Sequence, residues 1–390
     1  MSLIPHRPPD AWTQAGASHT AQEISQQPAI WRELATLLGA HRAQLDAFLG
    51  PLLANPACRV ILTGAGSSAY IGEIAADSLN AALPASVRAI PTTSLLTHAA
   101  LYLDPQAPTL LVSCARSGNS PESVAAVELV RRQVAHARFL NITCSADGAL
   151  ATSCAHDAAS LNLLLPPASC DRSFAMTSSF SAMLLSLLAV LGSGSWDTRL
   201  QRIEQLASAA APALQAWSGA AEQLARHPCA RVVCLGSGPL ESLAKEAALK
   251  VLELTSGRVL ALANTCLGFR HGPKAVVDCS TLIVVFLSAD PLARRYELDL
   301  VAELKRDRIA RLIVQVGPDL ADGPTTFGSP APAGLDDAWL APLWLLMAQQ
   351  FALHKSLLLG LTPDNPFPDG SVNRVVQGVT IYHGADHAIA

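Results

Sequence analysis

Short apolar runs alternate with longer helical segments along most of the chain. The runs that begin at Arg59, Thr109 and Arg138 have the length and the Val, Ile and Leu content of buried strands. An alternation of strands and helices is typical of a parallel sheet that is covered by helices on both faces. The pattern therefore predicts an α/β fold.

This pattern occurs twice. RVILTGAGSS begins at Arg59 and RVVCLGSGPL at Arg231, whereas TLLVSC begins at Thr109 and TLIVVF at Thr281. Both displacements, 231 − 59 and 281 − 109, equal 172 residues. The chain therefore contains two diverged copies of one α/β unit. We divide it into an N-terminal helical arm, a first copy, and a second copy with a C-terminal tail, at residues 1–45, 46–196 and 197–390.

The arm has the features of a packing element. Thr20 and Glu23 have the spacing of a capping box, which predicts a helix that begins at Thr20. Three arginines balance three acidic residues in the arm. A DNA-binding head would be longer and basic, so we expect the arm to pack against the copies.

Composition narrows the classes of function. The 390 residues are 50% hydrophobic and 15% charged, with a formal net charge of −4, so we expect well-buried cores and no nucleic-acid partner. Nine dispersed cysteines lack metal-ligand spacing, which predicts reduced thiols in a cytoplasmic protein without metal or cofactor.

No signal peptide is apparent, and segments 181–191 and 281–287 are too short to cross a bilayer. Segment 341–361 is long enough, but its polar residues predict a buried helix.

Each copy has a Gly-x-Gly turn after its first strand, where parallel sheets bind ligands at helix N-termini. Residues 63–69 (TGAGSSA) also satisfy a loose dinucleotide-binding pattern. Residues 87–91, however, lack the acidic residue that would bind the ribose. Gly66, Ser67 and Ser68 instead supply amides and hydroxyls that suit a phosphate monoester.

A second candidate phosphate site follows the next strand of the first copy. Residues 113–120 (SCARSGNS) precede a helix that Pro121 opens. Their candidate phosphate ligands are Arg116, Ser117, Gly118 and Ser120. Such groups at the positive end of a helix bind anions, although an ordinary serine-capped turn has the same composition. The second copy has Asp290 in the equivalent place, so we expect only the first copy to bind phosphate.

Candidate groups for proton transfer lie in the second copy. Pro239 opens a helix that residues 256–257 end, and Lys250 and Glu253 lie three apart on one face of it. His271 follows in a loop. A carboxylate, an ammonium and an imidazole suit general acid–base catalysis, although such a pair is also common on solvated helix surfaces.

These motifs resemble the tandem sugar isomerase (SIS) domains, as in the isomerase half of glucosamine-6-phosphate synthase. More closely, the chain resembles a bacterial branch of tagatose-6-phosphate ketose/aldose isomerases and galactosamine-6-phosphate deaminases (AgaS-like). The motifs of that branch match residues 20–28, 113–123, 172–180, 267–274 and 373–382. The resemblance implies a flavodoxin-like αβα sandwich for each copy.

The resemblance also implies roles for residues. The phosphate ligands of the synthase match Ser67, Ser68, Ser117 and Ser120. Its isomerising carboxylate matches Glu253, the neighbouring lysine Lys250, and the ring-opening histidine His271. In the family this histidine comes from the other subunit, which implies a homodimer or higher homo-oligomer with shared active sites. The catalytic tail lysine of the synthase falls near Val376, which cannot replace it.

Two classes of function follow from the resemblance. One is a metal-free enzyme of amino-sugar catabolism that converts galactosamine 6-phosphate to tagatose 6-phosphate and ammonia. Plain ketose/aldose phosphate isomerisation and glucosamine-6-phosphate deamination are its alternatives. The other class is a sensor that binds a sugar phosphate without chemistry, but no DNA-binding head or partner-binding insertion is visible. In each case the partner is a small sugar phosphate, with no nucleic acid and no membrane.

Overall fold

A computed structural model describes residues 9–321 and 323–382. The first copy forms a parallel sheet of five strands: β1 (Arg59–Thr63), β2 (Ser86–Ala89), β3 (Thr109–Ala115), β4 (Ala137–Thr143) and β5 (Ser160–Leu164). The order across this sheet is β2-β1-β3-β4-β5. The three central strands are almost completely buried, which explains their continuous apolar runs.

The second copy repeats this topology. Its strands are β6 (Arg231–Gly236), β7 (Leu260–Thr265), β8 (Thr281–Phe286), β9 (Leu312–Pro318) and β10 (Thr326–Ser329). All pairs are parallel and the order is β7-β6-β8-β9-β10, which matches the first sheet strand for strand. The predicted duplication and α/β fold are confirmed.

Helices surround and separate the two sheets. They are α1 (Pro9–Gln14), α2 (Ser18–Ser25), α3 (Gln27–Leu53), α4 (Ser67–Ala82), α5 (Thr92–Thr97), α6 (Pro121–Gln133), α7 (Ala149–Thr152), α8 (Ser178–Leu191), α9 (Trp196–Arg226), α10 (Pro239–Leu254), α11 (Pro291–Asp307) and α12 (Asp337–Leu358). Short 3-10 turns occupy Ala99–Leu101, Pro167–Ser169, Gly268–Arg270 and Pro273–Val276.

The first turn of each copy has the same backbone geometry. Gly66 has φ and ψ of 57° and −129°, and Gly238, which lies 172 residues later, has 55° and −128°. Two residues before them, a Cβ on Gly64 would lie 2.6 Å from the backbone of Ser68, and one on Gly236 would lie 2.1 Å from the Leu240 carbonyl oxygen. Glycine is therefore required where each helix starts against its strand.

One apolar core joins the two copies. It contains one face of each sheet together with α3, α8, α9, α10 and α12, and smaller cores cover the opposite faces. Helix α4 of the first copy packs directly on α10 of the second. Through this contact Lys250 donates a hydrogen bond to Ser67, which lies 183 positions earlier in the chain.

Helix α12 confirms the buried helix predicted around residues 341–361. Two of its polar residues bond to neighbouring elements: Gln349 accepts from Gln27 at 2.7 Å, and the Lys355 ammonium donates to two carbonyl oxygens at the end of α9. Partners of this kind make the burial of polar groups tolerable. Within the ranges that the structure describes, no helix is long and apolar enough to cross a membrane.

The arm is helical, but the predicted capping box is wrong. Helix α2 begins at Ser18, and both Thr20 and Glu23 lie buried inside it. The Thr20 amide and hydroxyl donate to Asp364 near the C-terminal tail, and Glu23 accepts from the backbone of Ser173. The two residues therefore join distant segments instead of capping a helix.

The arm extends through α3 to Leu53, and the division of the chain at residues 45 and 196 stays a prediction.

Candidate active site

A cavity of about 550 Å³ lies between the two copies, a size that suits a small ligand. The turns after β1 and β3 form one wall, and the C-terminal half of α10 forms another. Phe174 and Met176 come from the segment before α8, and residues 372–376 of the C-terminal tail complete the lining. Five stretches that are far apart in the sequence therefore meet at the carboxyl edge of the first sheet.

The wall from the first copy contains every predicted phosphate residue. They are Gly66, Ser67, Ser68, Arg116, Ser117, Gly118 and Ser120. Helices α4 and α6 begin here, and neither has a side-chain cap on its first amides. Two positive helix ends at one cavity favour an anion, although the Glu122 carboxylate in the first turn of α6 accepts from the Ser120 hydroxyl at 2.9 Å. The assignment of these residues to phosphate binding stays a prediction.

The second copy uses its own carboxylates at the equivalent place. Asp290 accepts from two amides in the first turn of α11, and Asp337 accepts from the hydroxyl of Ser288 and from the next amide. Glu297 accepts from the Ser288 amide, and burial raises the pKa of Glu297 to about 6. These side chains occupy the donors that would otherwise hold an anion.

Three charged groups form a buried cluster on α10. The Lys250 ammonium lies 3.1 Å from Glu246, 2.7 Å from Glu253 and 3.0 Å from the Ser67 hydroxyl. The side chains of Lys250 and Glu246 are fully buried, whereas Glu253 is 22% exposed and lines the cavity. Lys250 thus lies beneath the cavity surface and connects the exposed carboxylate to the buried one. The assignment of Lys250 and Glu253 to catalysis stays a prediction.

Burial and neighbouring charges shift the pKa values of Glu246 and Lys250 in opposite directions. Burial raises the pKa of Glu246 to about 7, and the Lys250 ammonium opposes the rise. Burial also disfavours the Lys250 ammonium, but the two carboxylates outweigh it and raise the pKa of Lys250 above its usual value. The lysine therefore stays charged, and Glu246 changes its charge near neutral pH.

Arg116 holds three segments together. Its guanidinium donates to the carbonyl oxygens of Phe174 at 3.1 Å, Ser173 at 3.5 Å and Arg374 at 3.2 Å. The Arg374 side chain donates in turn to the Arg172 carbonyl at 2.7 Å. Arg116 lines the cavity, but its donors are already directed at backbone oxygens, so its predicted role as a phosphate ligand competes with this anchoring role.

His271 lies apart from the other predicted catalytic residues. It is exposed on the loop between β7 and β8 and does not belong to the residues that line the cavity. The structure brings Glu253 and Lys250 to the phosphate wall within one chain, but not His271.

The tail places Val376 in the cavity lining. No lysine is present among the described residues that line this cavity, and Arg374 is the tail residue with a positive charge there. The guanidinium of Arg374 bonds to the backbone of Arg172, as described above.

Sequence reasoning missed two features of the site. Glu246 was not identified, although it lies four residues before Lys250 and therefore on the same face of α10. The ring contact between Phe174 and Phe367 in the cavity lining, with ring centres 5.1 Å apart, joins segments that are 193 positions apart. Helical spacing could have indicated the first feature, whereas nothing in the local pattern indicated the second.

Comparisons with known proteins agree with this architecture. The profile of the SIS domain family matches residues 52–192. A Shewanella sp. (strain ANA-3) protein named D-galactosamine-6-phosphate deaminase AgaS is 44% identical over 373 residues, which cover 95% of this chain and 93% of the relative. An Escherichia coli protein of the same name is 43% identical over 382 residues, with 96% and 99% covered. The crystal structure of tagatose-6-phosphate ketose/aldose isomerase from Escherichia coli matches with a TM-score of 0.86 at 40% identity, with 94% and 97% covered.

Proposed function

Because this chain belongs to the AgaS family of SIS-domain proteins, we propose that it converts galactosamine 6-phosphate to tagatose 6-phosphate and ammonia. One observation carries the proposal: the Glu253 carboxylate and two uncapped helix N-termini face the same cavity. A phosphate held at the helix ends leaves the other end of the sugar for the carboxylate.

The phosphate serves as the anchor of the substrate. The amides and hydroxyls of residues 66–68 and 117–120 bind it, and the burial of Ser67 and Ser68 strengthens the interaction with the first helix end. The second copy holds no competing site, since its own carboxylates occupy the equivalent donors.

Proton transfer begins after the sugar ring opens. His271 of a neighbouring subunit donates a proton to the ring oxygen as the anomeric hydroxyl loses one, which gives the free aldehyde. Glu253 then removes the C2 proton, and the electron pair of the broken C–H bond forms a C1–C2 double bond as the C1 oxygen takes up a proton.

Deamination follows from the return of the same proton. When Glu253 protonates C1, the nitrogen lone pair forms an iminium at C2, and water adds to C2 and releases ammonia. Lys250 is a positioning residue in this scheme, because its ammonium holds the carboxylate of Glu253 from below at 2.7 Å.

Val376 supports deamination over amino-sugar synthesis, since this side chain cannot form an imine with a ketose.

Assembly and location complete the proposal. A homodimer or larger oligomer brings His271 to the cavity of a neighbouring chain, which the exposed position of this residue supports. The nine cysteines are free, which fits a reducing cytoplasm.

The test is an assay of ammonia and ketose 6-phosphate from galactosamine 6-phosphate, glucosamine 6-phosphate and their N-acetylated forms. We expect ammonia chiefly from galactosamine 6-phosphate and none from N-acetylated substrates, because an amide nitrogen does not readily form the iminium. Glu253→Gln should lower kcat by about 10²–10⁴-fold and abolish exchange of the C2 hydrogen with solvent, with KM nearly unchanged. Brisk interconversion of tagatose and galactose 6-phosphates without ammonia from any hexosamine phosphate would identify a plain isomerase instead.

A further inference from the structure

A network of five charged residues surrounds the loop that carries His271. Arg270 precedes the histidine and contacts Glu303 and Asp299, both at 2.7 Å. Lys274 follows it three positions later and contacts Glu303 and Asp307. Glu303 is thus the central carboxylate, with one oxygen on each of the two cations that flank the histidine.

The acidic members of the network come from one helix face. Asp299, Glu303 and Asp307 are spaced four residues apart on α11, so they form one row along the helix. The Glu303 and Arg270 side chains are only 25% and 23% exposed. Isolated exposed ion pairs contribute little, but a partly buried network of several charges restricts the groups that it joins.

Attachment of the loop does not require these charges. Cys266 and Phe269 are fully buried in the core of the second copy, and the Gly268 amide bonds to the Thr265 hydroxyl at 3.0 Å. These contacts already hold the first half of the loop. The ion pairs act on the positions on either side of His271, where the chain leaves the core and Gly272 takes a φ of 121°.

The equivalent connection in the first copy has no such network. It joins β2 to β3 through residues 90–108, and this segment contains neither lysine nor arginine. The fold itself therefore does not demand the charged network, since the first copy builds the same connection, which carries His98, without one.

We propose that Glu303 is a positioning residue that fixes His271 for ring opening by holding Arg270 and Lys274. This inference rests on the proposed function, which gives His271 its role. An imidazole on a free loop would sample many orientations, whereas catalysis of proton transfer to a ring oxygen needs one.

The experiment compares Glu303→Gln, which keeps the size and removes the charge, with wild type on two substrates. On galactosamine 6-phosphate we expect kcat to fall roughly 10- to 100-fold with little change in KM. An analogue without the C4 and C5 hydroxyls can close neither a furanose nor a pyranose ring, so exchange of its C2 hydrogen should keep the wild-type rate. Lys274→Met should behave like Glu303→Gln, and Lys274→Arg should restore most of the activity.

Glu204→Gln is the matched control, because it removes an isolated surface pair with Arg32 and should change neither rate. Wild-type kcat in Glu303→Gln, or an equal loss of exchange with the ring-free analogue, would overturn the inference. The variant His271→Ala separates this outcome from a failure of the proposed function. If it opens the ring at the wild-type rate, His271 has no such role and the proposed mechanism fails first.

Discussion

At the scale of single residues, Glu246 is a buried charge that acts on the site through Lys250. It is buried, its pKa is raised to about 7, and it shares the Lys250 ammonium with Glu253. When Glu246 is neutral, Lys250 pairs with Glu253 alone. When Glu246 is ionised, the ammonium is divided between two carboxylates and neutralises less of the charge of Glu253, which favours removal of the C2 proton.

We therefore predict that kcat of the wild-type enzyme rises as the pH increases through about 7. Glu246→Gln keeps the neutral form at every pH, so it should lose this rise and be less active by the order of tenfold above pH 8. Measured kcat–pH profiles of the two proteins check this. Profiles that keep the same rise near neutral pH would remove Glu246 from the chemistry.

Residue roles could be predicted from the sequence only in part. Glu253 was identified because a family motif and an i, i+3 spacing both point to it. The burial of Glu246 and Lys250 could not be predicted, since it arises where α10 packs on α4 of the other copy. An Ala- and Leu-rich helix shows which of its faces is apolar, but not whether its charged face is buried as well.

At the scale of elements, Arg116 connects the loop after β3 to the C-terminal tail. Its bonds to the carbonyls of Phe174 and Arg374 are direct, and the tail around Arg374 is otherwise largely exposed. Loss of the guanidinium leaves these carbonyl oxygens without their charged donor, at a cost of about 1–3 kcal/mol.

Arg116→Met should therefore release the tail even without substrate. We expect trypsin to cleave after Arg374 several-fold faster than in wild type, and KM for the sugar phosphate to rise about tenfold. Limited proteolysis followed by mass spectrometry locates the cut. Arg138→Met removes an exposed arginine on β4 and serves as the control. Equal cleavage rates in wild type and Arg116→Met would show that Arg116 does not anchor the tail.

Most elements were predictable, and the exceptions have a physical reason. Apolar runs predicted the central strands, and proline and glycine marked the ends of α10. The capping box at Thr20 failed because its residues are used for contacts with segments more than 140 positions away. A short polar motif gives the same local signal whether it caps a helix or bonds to a remote strand or loop.

At the scale of the whole molecule, the duplication and the family were predictable, because two strand motifs repeat at one displacement and the relatives match over nearly the full chain. The turns of the first copy and Glu253 were expected at one site, whereas the contact of the tail with them was not, since it depends on how the two copies and the tail pack together. The exposed position of His271 leads to a prediction about assembly.

Glu253→Gln and His271→Ala should each be inactive, and mixed subunits should regain activity. A mixed dimer has one site with both residues intact, so random exchange of equal amounts should restore about one quarter of the wild-type rate. Refolding or subunit exchange followed by the ammonia assay measures this. A mixture that stays as inactive as its components would place both residues in the site of a single chain.

The carboxylates that occupy the anion donors of the second copy also determine how much ligand the protein takes up. A phosphate at that edge would have to displace Asp290 and Asp337 from backbone amides and then lie beside Glu297. Repulsion between like charges in a partly buried place makes this unfavourable. Calorimetric titration should therefore saturate at one sugar phosphate for each chain, although the chain contains two copies of the binding fold. Saturation at this ratio would mean that duplication has not doubled the capacity for ligand, and that the second copy supplies the Glu253 carboxylate to one cavity instead.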